Sequence, residues 1–145
     1  MTLRYVDWIE YATLLKRLLE EIRAYNFDSI VAIGRGGSII AAYLASKAGI
    51  PTFLPIFVQH KADGELRLVA GKQCDVTTLN GRLLVVDDLL LHGKAMRFVL
   101  NMLPKNTMAK TMTMFCRRES GFKPDFVGAY IDKSNEQIMF PYDLP

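Results

Sequence analysis

Residues 29–58 read "SIVAIGRGGSIIAAYLASKAGIPTFLPIFV". The first five, Ser29 to Ile33, are a short continuous apolar run, the pattern of a strand buried on both faces. "GRGG" (34–37) is a glycine-rich turn. Ser38 to Ala48 then has the composition of a helix, stopped by Gly49 and Pro51. "TFLPIFV" (52–58) reads as a second strand. Strand, glycine turn, helix, strand is the rhythm of an α/β domain with a parallel sheet. In such sheets ligands sit beyond the carboxyl ends of the strands, which makes the glycine turn a candidate site.

Outward from there, the same rhythm returns in "LLVVDDLLLHGKA" (83–95). "LLVVD" (83–87) reads as a buried strand, and residues 93–102 as a short helix ending before Pro104. On the N-terminal side, Asp7 to Glu10 has the form of a capping box. Trp8, Ile9, Ala12, Leu15, Leu18, Leu19 and Ile22 recur at helical spacing, so a first amphipathic helix is expected from about Trp8 to Tyr25. "TMTMF" (111–115) and "FVGAYI" (126–131) read as further strands. Residues 59–82 are polar and glycine-bearing, with "ELRLV" alternating like a hairpin strand; they suit a flap or hairpin. There are no repeats, linkers or low-complexity tracts, so residues 1–145 are expected to form a single domain.

The bulk properties bound the function. A chain of 145 residues, half of them hydrophobic and 23% charged, has room for one core. A net charge of +3 suits a small anionic ligand and is too weak to argue for nucleic acid. Cys74 and Cys116 form no CxxC pair, which gives neither a disulfide framework nor a zinc site. The start of the chain lacks the apolar core of a signal peptide, and no uncharged run reaches the ~18 residues of a membrane span. A cytoplasmic protein is expected. Met102, Met108, Met112, Met114 and Cys116 read as core filling. Lys16, Arg17 and Arg23 read as a solvated helix face, and His60 and Lys61 as loop charge.

Two familiar phosphate motifs are excluded. "GRGGSI" is not G-x-G-x-x-G, because Ile39 takes the last glycine position. "GKA" is not a P-loop, because position 88 is Asp and Ala95 replaces Ser/Thr. What remains is the acid pair Asp87–Asp88. Adjacent carboxylates are costly unless a cation or a donor array meets them. A ribose diol supplies two donors, and Mg²⁺ supplies charge and suits oxygen ligands. The loop beyond leads into a helix N-terminus at Gly93, whose amides bind an anion without any side chain. A capping role would account for one aspartate; the pair, with a glycine at this offset, points to a ligand.

"LLVVDDLLLHGKAM" resembles the PRPP-binding signature of type I phosphoribosyltransferases, and "IVAIGRGGSIIAAYLASKAGIP" resembles the pyrophosphate loop and following helix of that family. The likeness is greatest to short 6-oxopurine enzymes of the xanthine–guanine type, from "YVDW" near the start to "FPYD" near the end. It implies a mostly parallel sheet flanked by helices with a small hood or flexible loop, and transfer of ribose 5-phosphate from PRPP to a purine base with Mg²⁺ as cofactor. It also implies PRPP and a purine base or nucleotide as partners, no nucleic acid or membrane, and a homo-oligomer, dimer or tetramer.

Carried over, the resemblance makes Arg35, Asp87 and Asp88 catalytic, with Asp87 and Asp88 holding ribose hydroxyls directly or through the metal. Gly34, Arg35, Gly36 and Gly37 would bind pyrophosphate, with a cis bond at Gly34–Arg35. The loop of Leu91, His92, Gly93, Lys94 and Ala95 would wrap the 5′-phosphate. Arg117 would contact the 6-oxo group, and Gln137 and Ile138 would meet the base. Residues 59–70 would cover the site.

The chain also departs from the family pattern. Leu91 replaces the carboxylate that assists proton transfer at the purine. His92 and Ala95 replace two hydroxyl residues, and Gln137 replaces the stacking aromatic. The phosphate loop must then rely on backbone amides, Lys94 and a charged His92. Two other readings follow: a PRPP- or nucleotide-binding regulatory protein without transferase activity, and a transferase for a non-purine acceptor.

Overall fold

A computed structural model of the chain describes residues 1–69 and 75–145. Cys74, and residue 70 at the end of the expected covering segment, lie outside the described residues. The elements run β1 (Thr2–Tyr5), α1 (Trp8–Ile22), β2 (Ser29–Ile33), α2 (Gly34–Ala48), β3 (Thr52–Ile56), β4 (Val58–His60), β5 (Leu66–Leu68), a short 3-10 turn (Val76–Thr78), β6 (Gly81–Leu90), α3 (Lys94–Met102), β7 (Thr107–Arg117), β8 (Phe126–Ile131) and β9 (Glu136–Met139).

Five strands form the central sheet in the order β3-β2-β6-β7-β8, and every pairing in it is parallel. The chain therefore leaves β2 toward β3 on one side, and β6 leads to β7 on the other. The order reverses between β2 and β6, so the crevice of a switch-point site opens at their carboxyl ends. All five side chains of β2 are buried, as a strand covered on both faces requires. One face carries Leu84, Val86, Met112 and Met114 against α1 and α2. The other carries Val31, Leu83 and Val85 against Met96 and Val99 of α3. Met112, Met114 and Cys116 are buried as expected, whereas Met108 is 64% exposed at the start of β7.

Local chemistry explains the element ends. Asp7 caps α1 by accepting a hydrogen bond from the Glu10 amide at 2.8 Å. The reciprocal half of the capping box is not made, because Glu10 takes Arg4 at 2.7 Å instead. Helix α1 ends at Ile22 rather than near Tyr25, since Asn26 adopts a left-handed φ of 51°. The glycine-rich stretch is not a separate turn: α2 begins at Gly34, whose φ of 67° turns the strand directly into the helix. The Gly34–Arg35 bond is trans, and no cis peptide occurs among the described residues. The cis geometry implied by the resemblance is therefore not seen; the positive φ of Gly34 makes the turn.

Two small features lie outside the main sheet. β4 and β5 form an antiparallel hairpin, as the alternation of 65–69 suggests. β1 and β9 pair in parallel, Thr2 opposite Glu136 through Tyr5 opposite Met139. This pairing of the two ends of the chain has no local sequence signal.

Candidate active site

The acid pair lies where two neighbouring strands part. β6 runs on through Asp87 and Asp88 to Leu90, still paired with β7. Its pairing with β2 stops at Val86 opposite Ala32, where β2 turns into α2. The alternation of faces also breaks here. Leu84 and Val86 pack on the α1–α2 side, and Leu89 packs there too, while Leu83, Val85 and Leu90 pack on the α3 side. With one neighbour gone, the strand is free to twist more sharply.

Gly36 and Gly37 bring the glycine stretch against this point. A Cβ on Gly36 would stand 1.7 Å from Asp88 Oδ2, and one on Gly37 would stand 2.6 Å from the Val86 carbonyl oxygen. Only hydrogen fits at either position, so the first turn of α2 and the acid pair form a single site. The expectation of helix from Ser38 fails for the same reason. Glycine is a poor helix former, but close approach to β6 outweighs propensity here. Arg35 projects from this turn, is exposed and makes no ion pair or hydrogen bond among the described residues.

The two aspartates face different surroundings. Asp87 is half-buried, and its Oδ1 accepts a hydrogen bond from the Asp88 amide at 2.8 Å. Burial first, and the Asp88 carboxylate second, push Asp87 well above the ordinary carboxylate range. It lines a cleft of about 220 Å³ together with Leu91, His92, Lys94, Ala95 and His60. Asp88 lies against Gly36, and its Oδ2 accepts a hydrogen bond from the Tyr142 hydroxyl at 2.7 Å. Burial and then the charge of Asp88 raise Tyr142 above the ordinary phenol value, and the same two causes raise Tyr11 beside it.

The loop after the acid pair leads into the N-terminus of α3. Gly93 caps α3 with a φ of 78° and no side-chain cap hydrogen bond, so side chains leave the first amides of α3 unused. His92 and Lys94 are exposed around it. Arg97 secures the loop: its guanidinium donates to the His92 carbonyl at 2.8 Å and to the Gly121 carbonyl at 3.0 Å, and lies 5.2 Å from the Phe122 ring centre. A Cβ on Gly93 would meet Phe122 at 2.7 Å.

A second cleft, about 440 Å³, holds Leu89, Leu91, Arg117, Ser134, Gln137 and Ile138. It shares Leu89 and Leu91 with the first, so the Asp87 loop divides two adjoining spaces. Arg117 donates to the Ser134 carbonyl at 3.2 Å, while its Nε is buried with no partner among the described residues. Gln137 and Ile138 sit on β9, held by β1 at Leu3 and Arg4. Asp87 and residues 91–95 thus share one space, and Leu91, Arg117, Gln137 and Ile138 the other; Asp88 and Arg35 line neither. Tyr142 and Arg97 are contacts that sequence reasoning missed. The only trace of the first was the "FPYD" stretch, and of the second nothing beyond a basic residue on a helix.

A model of the phosphoribosyl transferase domain matches residues 3–144. A xanthine-guanine phosphoribosyltransferase of Idiomarina loihiensis is 31% identical over 97% of this chain and 86% of its own length. One of Chromohalobacter salexigens is 28% identical over 96% and 83%. Among solved structures, a purine phosphoribosyltransferase of Pyrococcus horikoshii superposes with a TM-score of 0.84 at 24% identity, covering 98% of this chain and 94% of that one. A xanthine-guanine-hypoxanthine phosphoribosyltransferase of Helicobacter pylori gives 0.74 at 16% identity over 98% and 94%.

Proposed function

From the premise that the chain belongs to the phosphoribosyl transferase domain family, we propose that it is a 6-oxopurine phosphoribosyltransferase, the activity named for its curated relatives. The observation that carries this reading is the packing of Gly36 on Asp88 at the switch point, which joins an anion-binding helix start to an acid pair. In the reaction a purine nitrogen forms a bond to C1′ of PRPP. The C1′–oxygen bond breaks, pyrophosphate leaves with the electron pair, and the base loses its nitrogen-bound proton.

Each residue then has a task. The amides of α2 behind Gly34, with Arg35 as a bidentate fork, hold the pyrophosphate. Asp87 and Asp88 hold the ribose hydroxyls, and the amides at the start of α3, with Lys94, hold the 5′-phosphate. Arg117 donates to the 6-oxo group, and β9 offers backbone at Gln137 and Ile138 to the base edge. Leu91 places no carboxylate between the clefts. Losing a general acid or base typically lowers a rate ~10²–10⁴-fold, so turnover should be slow, not absent.

Magnesium fits the donor set. Asp87 is half-buried beside Asp88, and neither forms an ion pair among the described residues. No group of three or more His, Cys, Asp or Glu side chains comes together there, so substrate and water oxygens would complete the shell of an ion held by this pair. When bound, such an ion supplies positive charge to the departing pyrophosphate. No helix among the described residues is long and apolar enough to cross a membrane.

The test is pyrophosphate release with PRPP, Mg²⁺ and a panel of purines and pyrimidines. Release with guanine, xanthine or hypoxanthine is expected. PRPP binding without release for any base would instead make the chain a PRPP-binding protein, and release with a pyrimidine alone would move the acceptor outside the purines.

A further inference from the structure

Tyr142 lies near the C-terminus, yet its hydroxyl meets the acid pair. With the Tyr11 hydroxyl beside it, that hydroxyl donates to Asp88 Oδ2 at 2.7 Å. That oxygen is also the one Gly36 lies against, so Oδ2 is enclosed by a phenol on one side and a helix backbone on the other. Beyond the neighbouring Asp87 carboxyl, no group among the described residues hydrogen-bonds Oδ1.

The ring that carries this hydroxyl is held firmly. Residues 140–143 form a turn closed by the Asp143 amide donating to the Phe140 carbonyl at 2.9 Å. Pro141 occupies its second position, where its fixed φ suits a turn, and the Asp143 carboxylate accepts from the Phe140 amide at 3.0 Å. The Tyr142 ring stacks on Phe140 at 5.1 Å with 6° between the planes. The edge-on contact with Tyr11 is at 5.9 Å, and Trp8 lies 6.4 Å away. Packing alone asks only for a phenyl ring here. A half-buried hydroxyl is costly unless it is hydrogen-bonded, and this one is directed at a carboxylate of the acid pair.

We propose that Tyr142 is a positioning residue: its hydroxyl fixes one oxygen of Asp88 so that the other is presented to the ribose–pyrophosphate ligand, linking the start of α1 and the C-terminal turn to the site. The proposal rests on the transferase reading for the identity of that ligand. Outer groups that orient a ligating side chain typically matter by ~10–100-fold in affinity or activity.

The experiment is a double-mutant cycle of Tyr142→Phe and Asp88→Asn, read by calorimetric binding of PRPP with Mg²⁺ and by melting temperature. Tyr142→Phe keeps the ring and its stack, so it should melt within a few degrees of the parent. It should bind PRPP ~10–100-fold more weakly. In the Asp88→Asn background the same change should have little further effect, because the oxygen it orients has lost its charge. Additive losses, or parental PRPP affinity in Tyr142→Phe, would overturn the proposal, since a tyrosine that served packing alone would not couple to Asp88. A second reading needs no ligand. The Tyr142 hydroxyl proton should appear in the proton NMR spectrum as a slowly exchanging resonance, absent from Tyr142→Phe and shifted in Asp88→Asn. A spectrum without it also refutes the proposal. Parent protein that binds no PRPP while showing the resonance would refute the transferase reading and leave the tyrosine–aspartate contact standing.

Discussion

Alanine at Gly36 separates the two functions of the glycine stretch. The added Cβ would stand 1.7 Å from Asp88 Oδ2 and 2.2 Å from its Cγ. Comfortable contact needs ~3.5–4 Å, so the carboxylate must move by about 2 Å. It can, because it is the end of a side chain, although Asp88 Cβ, 2.9 Å away, must also give by a few tenths of an ångström, and the hydrogen bond from Tyr142 is lost. A hydrogen bond to a charged group is worth ~1.5–3 kcal/mol, and alanine recovers ~1 kcal/mol over glycine in a helix. The net loss is ~0.5–2 kcal/mol, or about 2–6 °C at ~3 °C per kcal/mol for a chain of this size. PRPP affinity should fall more than stability suggests, by ~10-fold or more, because the displaced group is one we propose to hold the ligand. Gly37→Ala is the contrasting case. Its Cβ would stand 2.6 Å from the Val86 carbonyl oxygen, which is backbone and cannot swing aside. The helix must separate from β6 instead, an overpacking cost of ~1–3 kcal/mol, and no alanine gain offsets a displaced helix. Scanning calorimetry and PRPP titration on both variants decide the matter. A Gly36→Ala protein with parental PRPP affinity, or one that melts below Gly37→Ala, would refute the reasoning.

Asp87 gives a pH test. Its raised pKa, from burial and then Asp88, means the folded chain holds this proton more tightly than the unfolded one. The associated stability is complete below the ordinary carboxylate value of ~3.9 and is lost as pH rises through the raised folded value. Asp87→Asn should therefore melt above the parent at pH 8, with the gap closing toward pH 4; a gap independent of pH would contradict this. Arg117→Met should raise KM for the purine ~10-fold or more, as expected for a lost charged hydrogen bond, with PRPP affinity unchanged, and steady-state kinetics with each substrate varied checks both. Arg97→Ala removes the ties to His92 and Gly121, so purine 5′-monophosphate affinity should drop several-fold while base binding persists; equal loss at both would show general loosening.

What the linear chain determined by itself is the parallel α/β framework and the two chemical motifs. The apolar run 29–33, the helical spacing of α1 and the unpaired carboxylates at 87 and 88 each declare themselves within a few residues, because burial, helical period and desolvation cost act locally. The fold class followed from these, and the family from the resemblance of the two motif stretches to known phosphoribosyltransferases. Tertiary structure alone decided which groups meet. Glycine's low helix propensity placed the start of α2 four residues late, because the need for hydrogen at 36 and 37 comes from β6, about fifty residues away in the chain. β1 and β9 were invisible as strands, since each is short and finds its partner at the other end of the chain. The same long-range pairing brings Gln137 and Ile138 to the cleft that Leu91 also lines. The two aspartates are neighbours in sequence with identical chemistry, yet β6 parts from β2 beside them. One is left on the cleft lined by residues 91–95, and the other is turned to Tyr142, a residue 54 positions away. Contacts at that separation depend on sheet order and twist, which no local pattern encodes.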